Sequence, residues 1–207
     1  MYKASQIASI IKAKTTAPKT DVLVEHLLLD SRKLLFPATS IFFALDGPRR
    51  AGSLFIPELY DKGVRCFVVA ADFSETEIKR YKGAFFFQVQ DVLQALQSLT
   101  AHHRLQFRLP VIGITGSNGK TIVKEWLYQL LQPDQNIVRS PKSFNSQIGV
   151  PLSVWQIHEE NTLGIFEAGI SQPGEMQHLA RIIAPSVGVI TSIGEAHGEG
   201  FLNIRQK

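Results

Sequence analysis

One cysteine, Cys66, is the entire thiol content of this 207-residue chain, so no disulfide framework can hold it together. It sits inside the apolar run CFVVA, where a buried thiol is expected. Long hydrophobic runs are missing too: nothing approaches the ~20 consecutive apolar residues of a membrane span. The N-terminal stretch MYKASQIASIIKAKTT mixes polar and apolar residues at helical spacing and lacks the apolar core of a signal peptide. A cytoplasmic protein is the expectation. Blocks of like charge are absent, as is any basic stripe interleaved with aromatics. The formal charge of +4 therefore gives no case for nucleic acid and suits a small anionic ligand equally well. What is present is ordinary globular material, 44% hydrophobic and 19% charged, long enough for one large domain or two small ones.

Against that background one stretch stands out, Val111 to Thr121, VIGITGSNGKT. A β-branched run (Val111, Ile112, Ile114) reads as a buried parallel strand. It breaks into Gly116-Ser117-Asn118-Gly119, and a helix follows from Lys120 and Thr121. Strand, glycine turn, Lys-Thr, helix is the layout of a phosphate-binding loop. Backbone N–H groups and the helix N-terminus face an anion, the lysine adds charge, and the threonine hydroxyl can ligate Mg²⁺. The common pattern G-x-x-x-x-G-K-[ST] is not met, because position 114 is Ile114; the loop is a shortened variant.

Upstream, helices are expected at 3–13, 53–62 (with Gly63 as its cap), 77–81 and 92–107, the last capped by Asp91. Strands are expected at 22–31, 40–45, 64–70 and 84–89. The break Arg108-Leu109-Pro110 sets the domain boundary, giving a first domain of 1–108 and a second of 109–207. In the second, strands at 136–140, 163–169 and 187–194 alternate with helices near Pro151 and over 173–183. That alternation predicts a parallel, doubly wound sheet with ligands beyond the carboxyl ends of its strands. There is no internal repeat or low-complexity segment.

Several residues near those strand ends could carry chemistry. Glu167 closes the run LGIFE and could hold Mg²⁺ directly or through water, or be only a solvated strand-end acid. His197, in IGEAHGEGF, could ligate a metal, touch phosphate or lie on the surface. Asp30-Ser31-Arg32 offers a hydroxyl beside a guanidinium that fits phosphate, or a local turn with an exposed arginine. Lys142 and Asn145 lie on a loop suited to a second substrate. His102 and His103 are expected to be exposed or at a helix end, and His26 to be structural.

Six segments, in order, resemble the Mur ligase family and within it the MurF-like branch: LLLDSRKLLFPATSIFFALDG, FIPELYDKGVRCFVV, ITGSNGKT, SFNSQIGVPLSVW, FEAGISQPGEM and ITSIGEAHGEGF. The resemblance implies an α/β fold: a small N-terminal α/β domain for the UDP-linked substrate, then a P-loop-type parallel-sheet ATP-binding domain. It implies ATP and Mg²⁺ as cofactors. The substrates would be UDP-N-acetylmuramoyl-tripeptide and D-alanyl-D-alanine, joined in peptidoglycan synthesis by a monomeric enzyme through an acyl phosphate. By the same resemblance Ser31 and Arg32 bind the UDP end, and Asn145 sits at the junction of phosphate and muramoyl substrate. Gly116, Ser117, Asn118, Gly119, Lys120 and Thr121 bind ATP. Thr121, Glu167 and His197 serve the metal, with Lys120, Glu167 and His197 catalytic.

The chain departs from the family at Arg50-Ala51-Gly52-Ser53, where many relatives carry Asp-Gly-His, and at Ile122, where many carry Thr or Ser. Family members also continue past Lys207, so a truncated, inactive N-terminal portion is expected, with the family's carbamylated lysine beyond it. The motifs further resemble a MurF-like half that some bacteria fuse to an alanine racemase. A P-loop NTPase of other function and a non-catalytic nucleotide-sugar-binding module are the alternatives.

Overall fold

The computed structural model describes residues 1–16, 18, 20–47 and 50–194. The chain packs as two compact units, Met1–Leu99 and Thr100–Lys207. The division falls inside a helix, nine residues before Arg108, because the last turn of that helix carries side chains that belong to the second core.

The first unit runs β1 (Tyr2–Lys3), α1 (Ala4–Ile10), β2 (Lys14–Thr16), β3 (Leu23–Val24), β4 (His26–Leu28), β5 (Ser40–Phe43), α2 (Ile56–Asp61), β6 (Cys66–Ala70), α3 (Glu75–Ile78), β7 (Phe85–Val89) and the start of α4 (Val92–Arg104). Its main sheet has the order β2-β7-β6-β5-β4. All neighbours are parallel except β2, which pairs antiparallel with β7. Neither β2 nor the two-residue β1 was legible as a strand: KTT is exposed throughout and has no apolar alternation to reveal it. The central strands are buried on both faces, so they read as continuous apolar runs such as CFVV and FFF. Phe42, Phe67 and Phe86 sit in one core with Ile56 and Leu59 of α2. Burial pushes the Cys66 thiol up to about 12, so it stays protonated and inert. Asp91 caps α4 as expected, accepting the Gln94 N–H at 2.9 Å.

The second unit contains β8 (Val111–Thr115), α5 (Lys120–Leu131), β9 (Ile137–Arg139), α6 (Gly149–Val154), β10 (Leu163–Glu167), α7 (Glu175–Ile183) and β11 (Val187–Ile190). Its four strands are all parallel, in the order β11-β8-β10-β9. Alternation along β10 sorts residues between two cores. Phe166 joins Val111, Val150, Leu179 and Ile183 on the face of α6 and α7. Leu163 and Ile165 join Val123, Leu127 and Leu131 on the face of α5. By the same parity Glu167, two residues after Ile165, is presented to α5.

Two side chains from the end of α4 tie this unit together. The buried Arg104 guanidinium donates to the carbonyls of Ile183 at 2.9 Å, Phe107 at 2.8 Å, Leu109 at 3.3 Å and Ala184 at 3.2 Å. It satisfies chain ends that helix geometry leaves open. His103 lies at a helix end, one of the two places expected for it, and is buried there and not exposed. It lies against Trp155 and Phe107, with Nε2 3.0 Å from the Ile157 carbonyl. His26 is structural as expected, stacked on Phe36 with Nδ1 2.9 Å from Thr39 Oγ1.

Burial holds the His103 pKa down to about 4, against an ordinary value of 6.5. Its folded pKa is the lower one, so its contribution to stability is complete above pH 6.5 and is lost as pH falls from there through 4. A shift of that size corresponds to about 3 kcal/mol. Denaturant titrations of the parent and of His103→Phe between pH 7 and 4 should show the parent losing the larger share of stability. Parallel pH profiles would remove His103 as the cause.

Candidate functional site

Parallel strands put their carboxyl ends at one edge of the sheet, so the segments after Thr115, Arg139, Glu167 and Ile190 converge there. The turn after β8 is shaped by two glycines. Gly116 has φ +136°, and a Cβ there would lie 2.2 Å from Thr191 Oγ1 and 2.9 Å from the Ser192 backbone. Gly119 has φ +84° and is the residue from which α5 starts. Only glycine adopts either geometry without strain. Because Gly119 has no side chain, α5 begins with no side-chain cap. The first-turn N–H groups, which no helix can satisfy internally, thus receive no cap from Gly119, the arrangement in which a helix start can take an anion.

The segment after β11 braces this turn. Ser117 N–H donates to the Ser192 carbonyl at 2.8 Å and Asn118 N–H to Ser192 Oγ at 3.1 Å. Ser117 Oγ and Gly194 exchange hydrogen bonds at 3.0 and 2.8 Å. Two backbone donors of the loop and the Ser117 hydroxyl are therefore engaged by protein. Lys120, which phosphate-loop logic would put in the open, is buried, with Nζ donating to the Gly116 carbonyl at 2.6 Å. It closes the turn across its own backbone and has one ammonium available to exchange that carbonyl for a phosphate.

Glu167 is fully buried. The solvated strand-end reading fails for it. Thr121 Oγ1 donates to its Oε2 at 3.0 Å, and Ser140 Oγ accepts its backbone N–H at 3.1 Å. On its other side stands Lys124, also with no exposure, whose Nζ is 2.9 Å from Oε1. That contact is one of charge, since Oε1 has no aligned hydrogen-bond donor among the described residues. Lys124 instead donates to the carbonyls of Ser140, at 2.8 Å, and Lys142. Glu125 approaches the same ammonium at 3.2 Å and is itself paired with Arg139, which lies over the Tyr128 ring.

The expected site residues of the second unit thus come together at one strand-end edge, Gly116 to Thr121 with Glu167. Asn145 reaches the same strand end: its carbonyl accepts the Gly169 N–H at 2.8 Å, and its side chain packs on Gly169. Ser31 and Arg32 belong to the first unit. There Ser31 is buried, and the exposed Arg32 guanidinium forks onto Asp30 with two bonds of 2.8 Å. Those hydrogen bonds hold the Asp30 carboxyl down at about 2. His197 lies outside the described residues. Sequence reading missed Lys124 and Ser140. A lysine three residues before Leu127 and one after Val123, on the sheet-facing stripe of α5, was the available signal.

Among the described residues no group of three His, Cys, Asp or Glu side chains converges on a metal position. The donor set nevertheless suits Mg²⁺ shared with a nucleotide, which takes one or two protein oxygens and completes its shell with phosphates and water. Thr121 Oγ1 and Glu167 Oε2 are 3.0 Å apart. Adjacent oxygens on one octahedral Mg²⁺ stand about 3 Å apart at bond lengths of 2.0–2.1 Å. A buried carboxylate that accepts a single aligned hydrogen bond has the lone pairs to spare.

An α/β protein with a parallel sheet, a glycine turn at one strand end and an acid at the next is the class that these features define. Residues 114–206 match the Mur ligase middle domain, and most of the chain is similar to MurF ligases. It is 33% identical over 189 residues to a UDP-N-acetylmuramoyl-tripeptide--D-alanyl-D-alanine ligase of Borreliella burgdorferi, covering 88% of this chain and 40% of the relative. The same enzyme of Bacillus subtilis is also 33% identical, over 92% of this chain and 41% of its own length. Crystal structure I of MurF from Acinetobacter baumannii superposes with a TM-score of 0.86 at 26% identity, over 98% of this chain and 43% of that one. MurF ligase from Thermotoga maritima in complex with ADP gives 0.77 at 28% identity, over 88% and 41%. The chain thus spans about two fifths of the length of these relatives. No described helix is long and apolar enough to cross a membrane.

The turn geometry is directly testable. Gly116→Ala should destabilise the second unit by about 1–3 kcal/mol, because the new Cβ meets Thr191 and the backbone leaves its preferred region. Equal midpoints for variant and parent in chemical denaturation would contradict the turn as described.

Proposed function

We propose that this chain is the substrate- and ATP-binding portion of a MurF-type ligase. Such an enzyme joins D-alanyl-D-alanine to UDP-N-acetylmuramoyl-tripeptide in peptidoglycan synthesis. The observation that carries the reading is the convergence of the uncapped α5 N-terminus, Lys120, Thr121 and Glu167 at one strand-end edge. In this reading Gly116 to Thr121 receive the nucleotide phosphates, and Lys120 exchanges the Gly116 carbonyl for the β- and γ-phosphates. Thr121 and Glu167 would hold Mg²⁺, which supplies charge compensation to the transferring phosphoryl group. His197 would join them. The γ-phosphoryl group passes to the substrate carboxylate, giving ADP and an acyl phosphate. The amine of D-alanyl-D-alanine then attacks the acyl carbon, forming the amide and expelling inorganic phosphate. Asn145 would lie where phosphate and muramoyl substrate meet. Ser31 and Arg32 would take the UDP end in a separate N-terminal domain, Arg32 leaving Asp30 for a phosphate oxygen.

The reading distinguishes itself from a P-loop NTPase of other function by its acceptor requirement. In the full-length protein, sustained phosphate release from Mg-ATP should need both UDP-N-acetylmuramoyl-tripeptide, which takes up the phosphoryl group, and D-alanyl-D-alanine, whose attack expels it. Release at an unchanged rate without either would reject the ligase. Lys120→Ala should weaken nucleotide binding on the order of 10- to 100-fold through loss of a charged phosphate contact. Arg32→Ala should weaken the UDP-linked substrate by a similar factor and leave the nucleotide unaffected. Equal loss of both ligands in titration calorimetry would make Arg32 structural.

A further inference from the structure

We propose that Lys124 is a positioning residue that sets the cation selectivity of the phosphate site, confining the metal to one oxygen of Glu167. The inference rests on the nucleotide reading above, but on different residues. Lys124 follows the loop by one turn of α5 and has no exposure. Its ammonium has three protons. Two go to the carbonyls of Ser140 and Lys142, and two carboxylates lie within ion-pair range of the same nitrogen, Glu167 at 2.9 Å and Glu125 at 3.2 Å. Arg139 pairs with the same Glu125 oxygen and already compensates that carboxylate, whereas Glu167 has Lys124 as its cation among the described residues.

The two oxygens of Glu167 are thereby made unequal. Oε2 faces Thr121 Oγ1 at 3.0 Å, whereas Oε1 faces a fixed positive charge. A divalent cation bridging both oxygens would be brought up against that ammonium, and like charges at such range inside protein repel strongly. A cation on Oε2 alone, beside Thr121, stays clear of it. Mg²⁺ accepts a single carboxylate oxygen in a small octahedron, whereas Ca²⁺ takes more ligands and often both oxygens of a carboxylate. The arrangement therefore selects the smaller ion. The same ammonium holds the carbonyl of Lys142, whose φ of +50° is a left-handed conformation unusual for a residue with a side chain. Lys124 thus fixes the 140–142 loop and the carboxylate with one group.

The test is calorimetric titration of the full-length protein, saturated with ADP, by Mg²⁺ and separately by Ca²⁺. The parent should prefer Mg²⁺. Lys124→Met should shift the ratio of the two dissociation constants toward Ca²⁺ by roughly tenfold. Introduced on a Glu167→Gln background, the same change should leave the ratio where Glu167→Gln alone puts it, because the effect runs through that carboxylate. Lys124→Gln, which removes the charge but keeps an amide donor for the carbonyls, should move the ratio in the same direction. It serves if Lys124→Met does not fold. An unchanged ratio in a folded Lys124 variant overturns the proposal, as does failure of both variants to fold, which would make Lys124 a pin of the core. Absence of divalent binding in the ADP-saturated parent would instead remove the nucleotide reading beneath it.

Discussion

A carboxylate with no access to water constrains the whole second unit. Glu167 ends a strand buried on both faces, and its charge is tolerable there because Lys124 and Thr121 stand beside its carboxylate. Taking two such charges out of water costs several kcal/mol per ion, and their attraction seldom returns more than that. A hydrophobic pair of similar size would serve the fold as well or better. The pair is therefore best understood by what it arranges. It fixes the first turns of α5 against β10 and draws the loop after β9 to the same point, leaving one carboxylate oxygen beside a hydroxyl.

The glycine turn supplies the complementary half. With Gly116 and Gly119 in left-handed geometry, β8 can end and α5 begin within four residues, and the helix starts without a cap. Unsatisfied N–H groups and the positive end of the helix dipole then sit beside Lys120. The hydrogen bonds from Ser117 and Asn118 to Ser192 hold the turn in this shape from the segment after β11. Positive groups on the loop and the negative Glu167 are separated by Thr121, the geometry that a phosphate bridged to a cation would complete.

Much of this was legible in the sequence because it is local. The apolar run before Gly116, the Lys-Thr pair and the parity that turns Glu167 toward α5 all follow from short-range pattern. So do the buried central strands and the cap at Asp91. What stayed hidden depends on residues far apart in the chain. His103 looked like a surface residue near a helix end until Trp155 and Ile157 covered it. Arg104 closes on carbonyls some 80 positions away. Lys124 drew no notice in the sequence, because only β10 and the 140–142 loop give it a role. Lys120 is folded onto Gly116, because the turn brings that carbonyl within reach of the ammonium. Arg32 likewise finds its nearest acceptor in Asp30, two residues away.

The central claim is that the strand-end edge formed by the 116–121 turn, Glu167 and the 140–145 loop is a single nucleotide-phosphate site. Amide hydrogen exchange of the full-length protein with and without Mg-ADP tests it most directly. The account predicts added protection in segments covering 116–122 and 140–145 together, and a smaller gain when EDTA replaces Mg²⁺. Bound Mg-ADP that leaves both segments exchanging as in the free protein would contradict it.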